Sequence, residues 1–105
     1  MPFQFEDIIY EKKDHIARIT INRPEALNAF RTKTLLEMIE ALEDIEKDTS
    51  IGVVVLTGTG NRAFCVGGDA KENSGKAGYS YELLLSTARV HELIRNIPQP
   101  VIAAV

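Results

Sequence analysis

Gly67 and Gly68 stand side by side between Val66 and Asp69, a few residues after the apolar run Ile51 to Gly58. Adjacent glycines pack nothing and are costly to order. Their use lies in letting another group come close to the backbone. A backbone N–H at a turn into a helix can donate to a carbonyl oxygen that is gaining negative charge, helped by the helix dipole. Glycine at Gly67 and Gly68 would let a carbonyl oxygen reach a backbone amide there without a Cβ in the way, and Asp69 suits a cap on the turn. The plainer reading, a tight turn and a capped helix, is compatible with this, because a capped N-terminus also presents unpaired N–H groups. A dinucleotide loop is the rival: Gly58, Gly60 and Ala63 fit G-x-G-x-x-A after a strand. That fingerprint must open directly into a helix, and Phe64 to Gly68 is a poor helix sequence. It also needs an acidic residue ending a second strand about 20 residues on, and none stands there.

The elements that position this loop follow from periodicity. Ile8 to Lys12 and Ile16 to Asn22 read as strands around a polar turn, Lys13-Asp14-His15. Ala17, Ile19 and Ile21 share one face of the second strand, Arg18 and Thr20 the other. Pro24 ends it and opens the loop NRPEALNAF. From Thr32, a candidate cap, to Lys47 the period becomes helical, with Leu35, Ile39, Leu42 and Glu46 in register and Leu36, Met38 and Ile45 widening the face. Val53 to Thr57 is a β-branched strand. Ser80 is a candidate N-cap, and Leu83, Ala88, Val90, Ile94 and Ile97 form the stripe of a second helix, which Pro98 and Pro100 terminate. Val101 to Val105 returns as a strand. The order ββαβαβ indicates an α/β fold with parallel crossovers.

Hydrophobic residues at 45% and charged residues at 26% indicate a globular chain rather than a disordered one. A net charge of −3 lacks the basic stripe that nucleic acid would need. No apolar run approaches the length of a membrane span, and MPFQFEDIIYEKK does not read as a signal peptide. The lone Cys65 cannot form an internal disulfide and suits a reducing compartment. These features point to a soluble, cytoplasmic protein without nucleic-acid or membrane partners. Cys65 itself, between Phe64 and Val66, reads as a small core residue. His15 and His91 read as solvated, and no metal-ligand spacing occurs. The final run PQPVIAAV has no turn, charge or cap after it. It reads as a strand buried on both faces, which implies that residues 1–105 are the N-terminal part of a single larger domain.

Three segments in order resemble the crotonase (enoyl-CoA hydratase/isomerase) superfamily: ITINRPEALNAF (Ile19 to Phe30), VVVLTGTGNRAFCVGGD (Val53 to Asp69) and IPQPVIAAV (Ile97 to Val105). The resemblance spans nearly the whole chain. It implies a spiral of ββα units about twice this length, acting on acyl-CoA thioesters whose carbonyl is held by two backbone amides. The Gly68 amide matches the first of these; the second would follow Val105, so the stretch alone is expected to be inactive. Coenzyme A would enter as part of the substrate, with no tightly bound cofactor. It would be held by the backbone around Ala26, Leu27, Val66 and Gly67, with the Lys71 ammonium near phosphate. Homotrimers or hexamers are the implied assembly.

Within the superfamily, NAFR and AFCVGGD look more like the naphthoyl-CoA synthase and 2-ketocyclohexanecarboxyl-CoA hydrolase branch, which closes or opens a β-keto ring. In that branch a loop tyrosine after GGD hydrogen-bonds the enolate or moves a proton, and Tyr79 stands at the matching distance. Tyr81 reads instead as a packing residue. Leu27 stands where the synthases usually carry an arginine, and Ala70 and Asn73 replace a glutamine and a basic residue; Lys71 matches. Hydration or isomerisation of an enoyl-CoA is the alternative chemistry. A catalytically silent acyl-CoA-binding or assembly protein is the alternative of another class.

Overall fold

The computed structural model describes residues 3–60, 65 and 81–104, with Tyr81 described by its backbone alone. The first two strands, β1 (Ile8–Lys13) and β2 (Ile16–Ile21), pair antiparallel through a two-residue turn. Asp14 and His15 both have positive φ, 53° and 67°, which matches the right-handed twist of the paired strands. After a short 3-10 turn (Pro24–Ala26) come α1 (Thr32–Lys47), β3 (Val53–Gly58), α2 (Tyr81–Asn96) and β4 (Val101–Ala103). The sheet order is β1-β2-β3-β4, with β2, β3 and β4 parallel. The α/β class and the ββαβαβ order read from the sequence are those observed.

Register sorts the side chains. Ala17 pairs with Val54 and Ile19 with Leu56, so these residues share a face with Ile8, Tyr10 and Val101. Against that face pack Leu35, Met38, Ala41, Leu42 and Ile45 of α1, together with Leu83, Val90 and Leu93 of α2 and Ile97 just beyond it. The helices touch one another as well, and Arg89 of α2 pairs with Glu43 of α1 at 3.0 Å. The opposite face carries Ile9, Ile16, Arg18, Val55 and Ile102; Ile9, Ile16 and Ile102 are exposed. Thr20 points the same way but is buried.

Several sequence expectations need correction. Ala88 is exposed, and the buried stripe of α2 runs Leu83, Ser86, Val90, Leu93. Leu36 and Glu46 of α1 are also exposed. The cap of α1 is Arg31, not Thr32: the Arg31 N–H donates to Thr34 Oγ1 at 3.1 Å and its carbonyl accepts the Leu35 N–H. Among the described residues the strand at 101–103 pairs with β3 alone, and it is not doubly buried: Ile102 is 54% exposed and Val101 half-buried. Sequence reading also passed over Gln99, a buried side chain whose Nε2 donates to the Ile45 carbonyl at 2.8 Å and ties off the end of α1.

Candidate functional site

The link between β2 and α1 carries two consecutive residues with positive φ, Leu27 and Asn28. Pro24 opens the 3-10 turn, where its fixed φ suits the first position and its missing N–H is no loss. The amides then close on the turn itself: Ala26 N–H donates to the Arg23 carbonyl at 2.9 Å, Leu27 N–H to Pro24 at 3.1 Å and Ala29 N–H to Ala26 at 3.0 Å. Leu27 and Asn28 follow with φ of 52° and 59°. Two consecutive left-handed residues reverse the chain. Asn tolerates that conformation, whereas for Leu it costs on the order of 1–2 kcal/mol. Strain of this kind persists where surrounding bonds impose it, and it gathers at ligand-binding segments.

Those bonds can be named. Asn28 is 1% exposed. Its N–H donates to the Arg23 carbonyl at 2.8 Å, and its Oδ1 accepts the Arg23 N–H at 2.9 Å. Its Nδ2 donates to the carbonyl of Thr59 at 3.0 Å, across 31 residues of chain. Thr59 leaves β3, and its own N–H donates to the Ile21 carbonyl at 2.9 Å, extending the parallel ladder by one step. Asn28 therefore ties the turn to the point where the chain departs for the Gly67-Gly68 loop. Arg23 Nη1 donates to the Ala29 carbonyl at 2.6 Å on the other flank.

A buried polar cluster anchors the far end of the loop. Asp7 takes both Nε and Nη2 of Arg31 at 2.8 Å, a two-pronged pair, and the Thr34 hydroxyl at 2.7 Å. The hydrogen bond from Arg31, reinforced by Thr34 and partly opposed by burial, holds the Asp7 carboxyl below its usual range. One turn along α1, Glu37 accepts the N–H groups of Glu6, Asp7 and Ile8 at 2.9, 2.8 and 3.2 Å. The N-terminal segment is thus stitched to α1 beside the strained turn.

Behind the loop lies an apolar cavity of about 170 Å³, walled by Ile21, Phe30, Leu35, Met38, Leu56, Val90 and Ile94, with Cys65, Thr87 and His91 also at its edge. Such a lining suits an aliphatic group and not a charged one. Cys65 is half-buried rather than a core residue.

Of the residues singled out from the sequence, Ala26 and Leu27 are adjacent in the strained turn. Their amides already donate within it, and the Ala26 carbonyl already accepts the Ala29 N–H. Val66, Gly67, Gly68, Asp69, Lys71 and Tyr79 lie outside the described residues. Asn28 had been given no role. The signal that could have found it is its type, since Asn is among the few residues that accept a left-handed turn. Among the described residues no group of three or more His, Cys, Asp or Glu could hold a metal ion, and no helix is long and apolar enough to cross a membrane.

Residues 11–105 match the family described as enoyl-CoA hydratase/isomerase. Solved structures agree. An enoyl-CoA hydratase/isomerase from Xanthobacter autotrophicus Py2 is 35% identical with a TM-score of 0.88, covering 97% of this chain and 39% of its own. An enoyl-CoA hydratase/carnithine racemase from Magnetospirillum magneticum is 33% identical with a TM-score of 0.86, covering 95% and 39%. An enoyl-CoA hydratase from Mycobacterium smegmatis is 32% identical with a TM-score of 0.85, covering 93% and 39%. The chain thus spans about two-fifths of the length of the solved relatives it matches.

Proposed function

Because the chain belongs to the enoyl-CoA hydratase/isomerase family, we propose that the protein acts on acyl-CoA thioesters by stabilising an enolate. The observation that carries the reading is the strained Leu27–Asn28 turn, bonded to the exit of β3. It sets the turn at Ala26 and Leu27 beside Thr59, where the chain leaves β3, which supports a shared site. In this proposal the Gly68 N–H is one of two donors to the thioester oxygen. Charge that develops on that oxygen as an α-proton leaves, or as a nucleophile adds, meets a fixed dipole instead of water that must reorganise. The turn at Ala26 and Leu27 and the backbone of Val66 and Gly67 hold coenzyme A, and Lys71 offers a point charge to its phosphates.

The narrower proposal is formation or cleavage of a β-keto ring, with the Tyr79 hydroxyl donating to the enolate. The AFCVGGD segment and the spacing of Tyr79 support it. Hydration or isomerisation of an enoyl thioester is the second reading, and the names carried by the solved relatives favour it. Assembly as a homotrimer or hexamer belongs to either reading.

The test is a panel of CoA thioesters given to the intact protein and followed by mass spectrometry. Opening of a cyclic β-keto thioester by one water supports ring chemistry. Addition of water to crotonyl-CoA with the ring substrate untouched moves the assignment to the hydratases. Tight binding of CoA thioesters with no product from any of them would leave a silent binder and overturn the enzymatic reading.

A further inference from the structure

We infer that Asn28 is the positioning residue that fixes the distance between the candidate CoA-holding turn and the exit of β3, and so sets affinity for the nucleotide half of the substrate. The inference rests on the acyl-CoA reading above. Asn28 is too deeply buried to touch a ligand itself; whatever it does, it does through its neighbours. Its bonds divide into two tasks. The backbone N–H donates to the Arg23 carbonyl and Oδ1 accepts the Arg23 N–H, closing the turn locally. The Nδ2 bond leaves the turn altogether and ends on the Thr59 carbonyl, where the Thr59 hydroxyl also donates back to Oδ1 at 3.4 Å.

The first task could be met by other residue types. Glycine accepts positive φ without strain, and aspartate tolerates it and supplies the same acceptor oxygen. Only the second task requires an amide nitrogen at this side-chain length. Thr59 is in turn held to Ile21, so the bond joins the turn to a rigid sheet position. Leu27, immediately before Asn28, inherits its location from that bond. Separating the two segments would move Ala26 and Leu27 relative to the exit of β3 at Thr59, while leaving the core of Ile19, Leu42 and Val54 untouched.

The two tasks can be separated by experiment. Asn28→Asp keeps the acceptor for Arg23 and the tolerance of positive φ, but sets a carboxylate oxygen against the Thr59 carbonyl. Asn28→Gly keeps the conformation and removes every side-chain bond. Each variant of the intact protein is titrated calorimetrically with butanoyl-CoA and with the butanoyl thioester of N-acetylcysteamine, which lacks the nucleotide; thermal melting verifies folding. The expected result is a loss of about tenfold or more in affinity for butanoyl-CoA, corresponding to one hydrogen bond lost and two acceptors opposed. Affinity for the truncated thioester should stay within about twofold in both variants. An equal loss on both ligands would reduce Asn28 to a general structural residue, and no loss on either would remove the bond's role; each overturns the inference while leaving the acyl-CoA reading in place. If the wild-type protein binds the two thioesters equally, the nucleotide contributes nothing and the acyl-CoA reading fails first.

Discussion

Replacing Asp7 by Asn keeps the shape of the side chain and removes its charge from the cluster beside the turn. In the wild-type protein the carboxylate is 3% exposed and receives three hydrogen bonds, two from the Arg31 guanidinium and one from Thr34. An amide can accept on one side only, so its NH2 must face the Arg31 Nη2–H in the Oδ1 position, or both the Arg31 Nε–H and the Thr34 hydroxyl in the Oδ2 position. Hydrogen bonds to a charged group are worth roughly 1.5–3 kcal/mol each, and breaking a buried pair from one side costs about 3–5 kcal/mol. Arg31 is 36% exposed, and water can recover part of its interaction, which lowers the figure. A loss of about 2–3 kcal/mol is expected, read from urea unfolding at neutral pH. The dependence on pH supplies an internal control. A carboxyl whose folded value lies below its unfolded one stabilises the fold above the unfolded value of 3.8 and loses that contribution as pH falls through the folded value. The wild-type protein and Asp7→Asn should therefore diverge above about pH 4 and converge in acid. A difference under about 0.5 kcal/mol at neutral pH, or one that persists unchanged in acid, would refute the cluster as a charge-dependent anchor.

Gly68→Pro removes the proposed oxyanion donor and should lower turnover in the intact protein by about 10²–10³-fold; normal turnover in a folded variant would sink that assignment. Tyr79→Phe should reduce turnover by about 10²-fold with thioester affinity unchanged, and rates within twofold of wild type would leave Tyr79 a packing residue. Tyr10, raised above its ordinary 10.0 by burial and by donation to Asp44 at 2.6 Å, should contribute a late ionisation to an alkaline absorbance titration that Tyr10→Phe abolishes. Because the folded value is raised, the associated stability is complete below pH 10 and declines as pH rises through that value. An unchanged titration in the variant would place the phenol in water.

Much of the frame could be read directly because its signals are local. Leu35, Met38, Leu42 and Ile45 recur at helical spacing, and Val53 to Leu56 is β-branched enough to exclude a helix. Ala88 misled because a small side chain gives a weak phase signal, and the true stripe steps by three and four from Leu83 through Ser86 to Val90. The apolar pair Leu84-Leu85 gave no warning that it faces outward. The polar anchors were invisible for a different reason. Asp7, Arg31 and Glu37 look like solvated charges one at a time, and their meeting is a property of the packed chain. At the site, the left-handed Leu27 could not have been foreseen, since nothing in a leucine favours positive φ. Gly67 and Gly68 mark a candidate loop from the sequence alone, because a glycine pair permits close approach to the backbone.

The Asp14–His15 turn has a consequence for how the chain is assembled in time. It lets β1 and β2 meet with almost no chain to immobilise between them, whereas Ile16 reaches Val53, and Val54 reaches Val101, only across intervening helices. Closing those longer loops carries an entropic cost that must be met before their contacts reward it. Early closure of the hairpin, with the parallel strands docking on it afterwards, is the order this loop-closure cost favours. That is also the order in which a ribosome delivers them, so growth of the sheet can keep pace with synthesis rather than wait for its end.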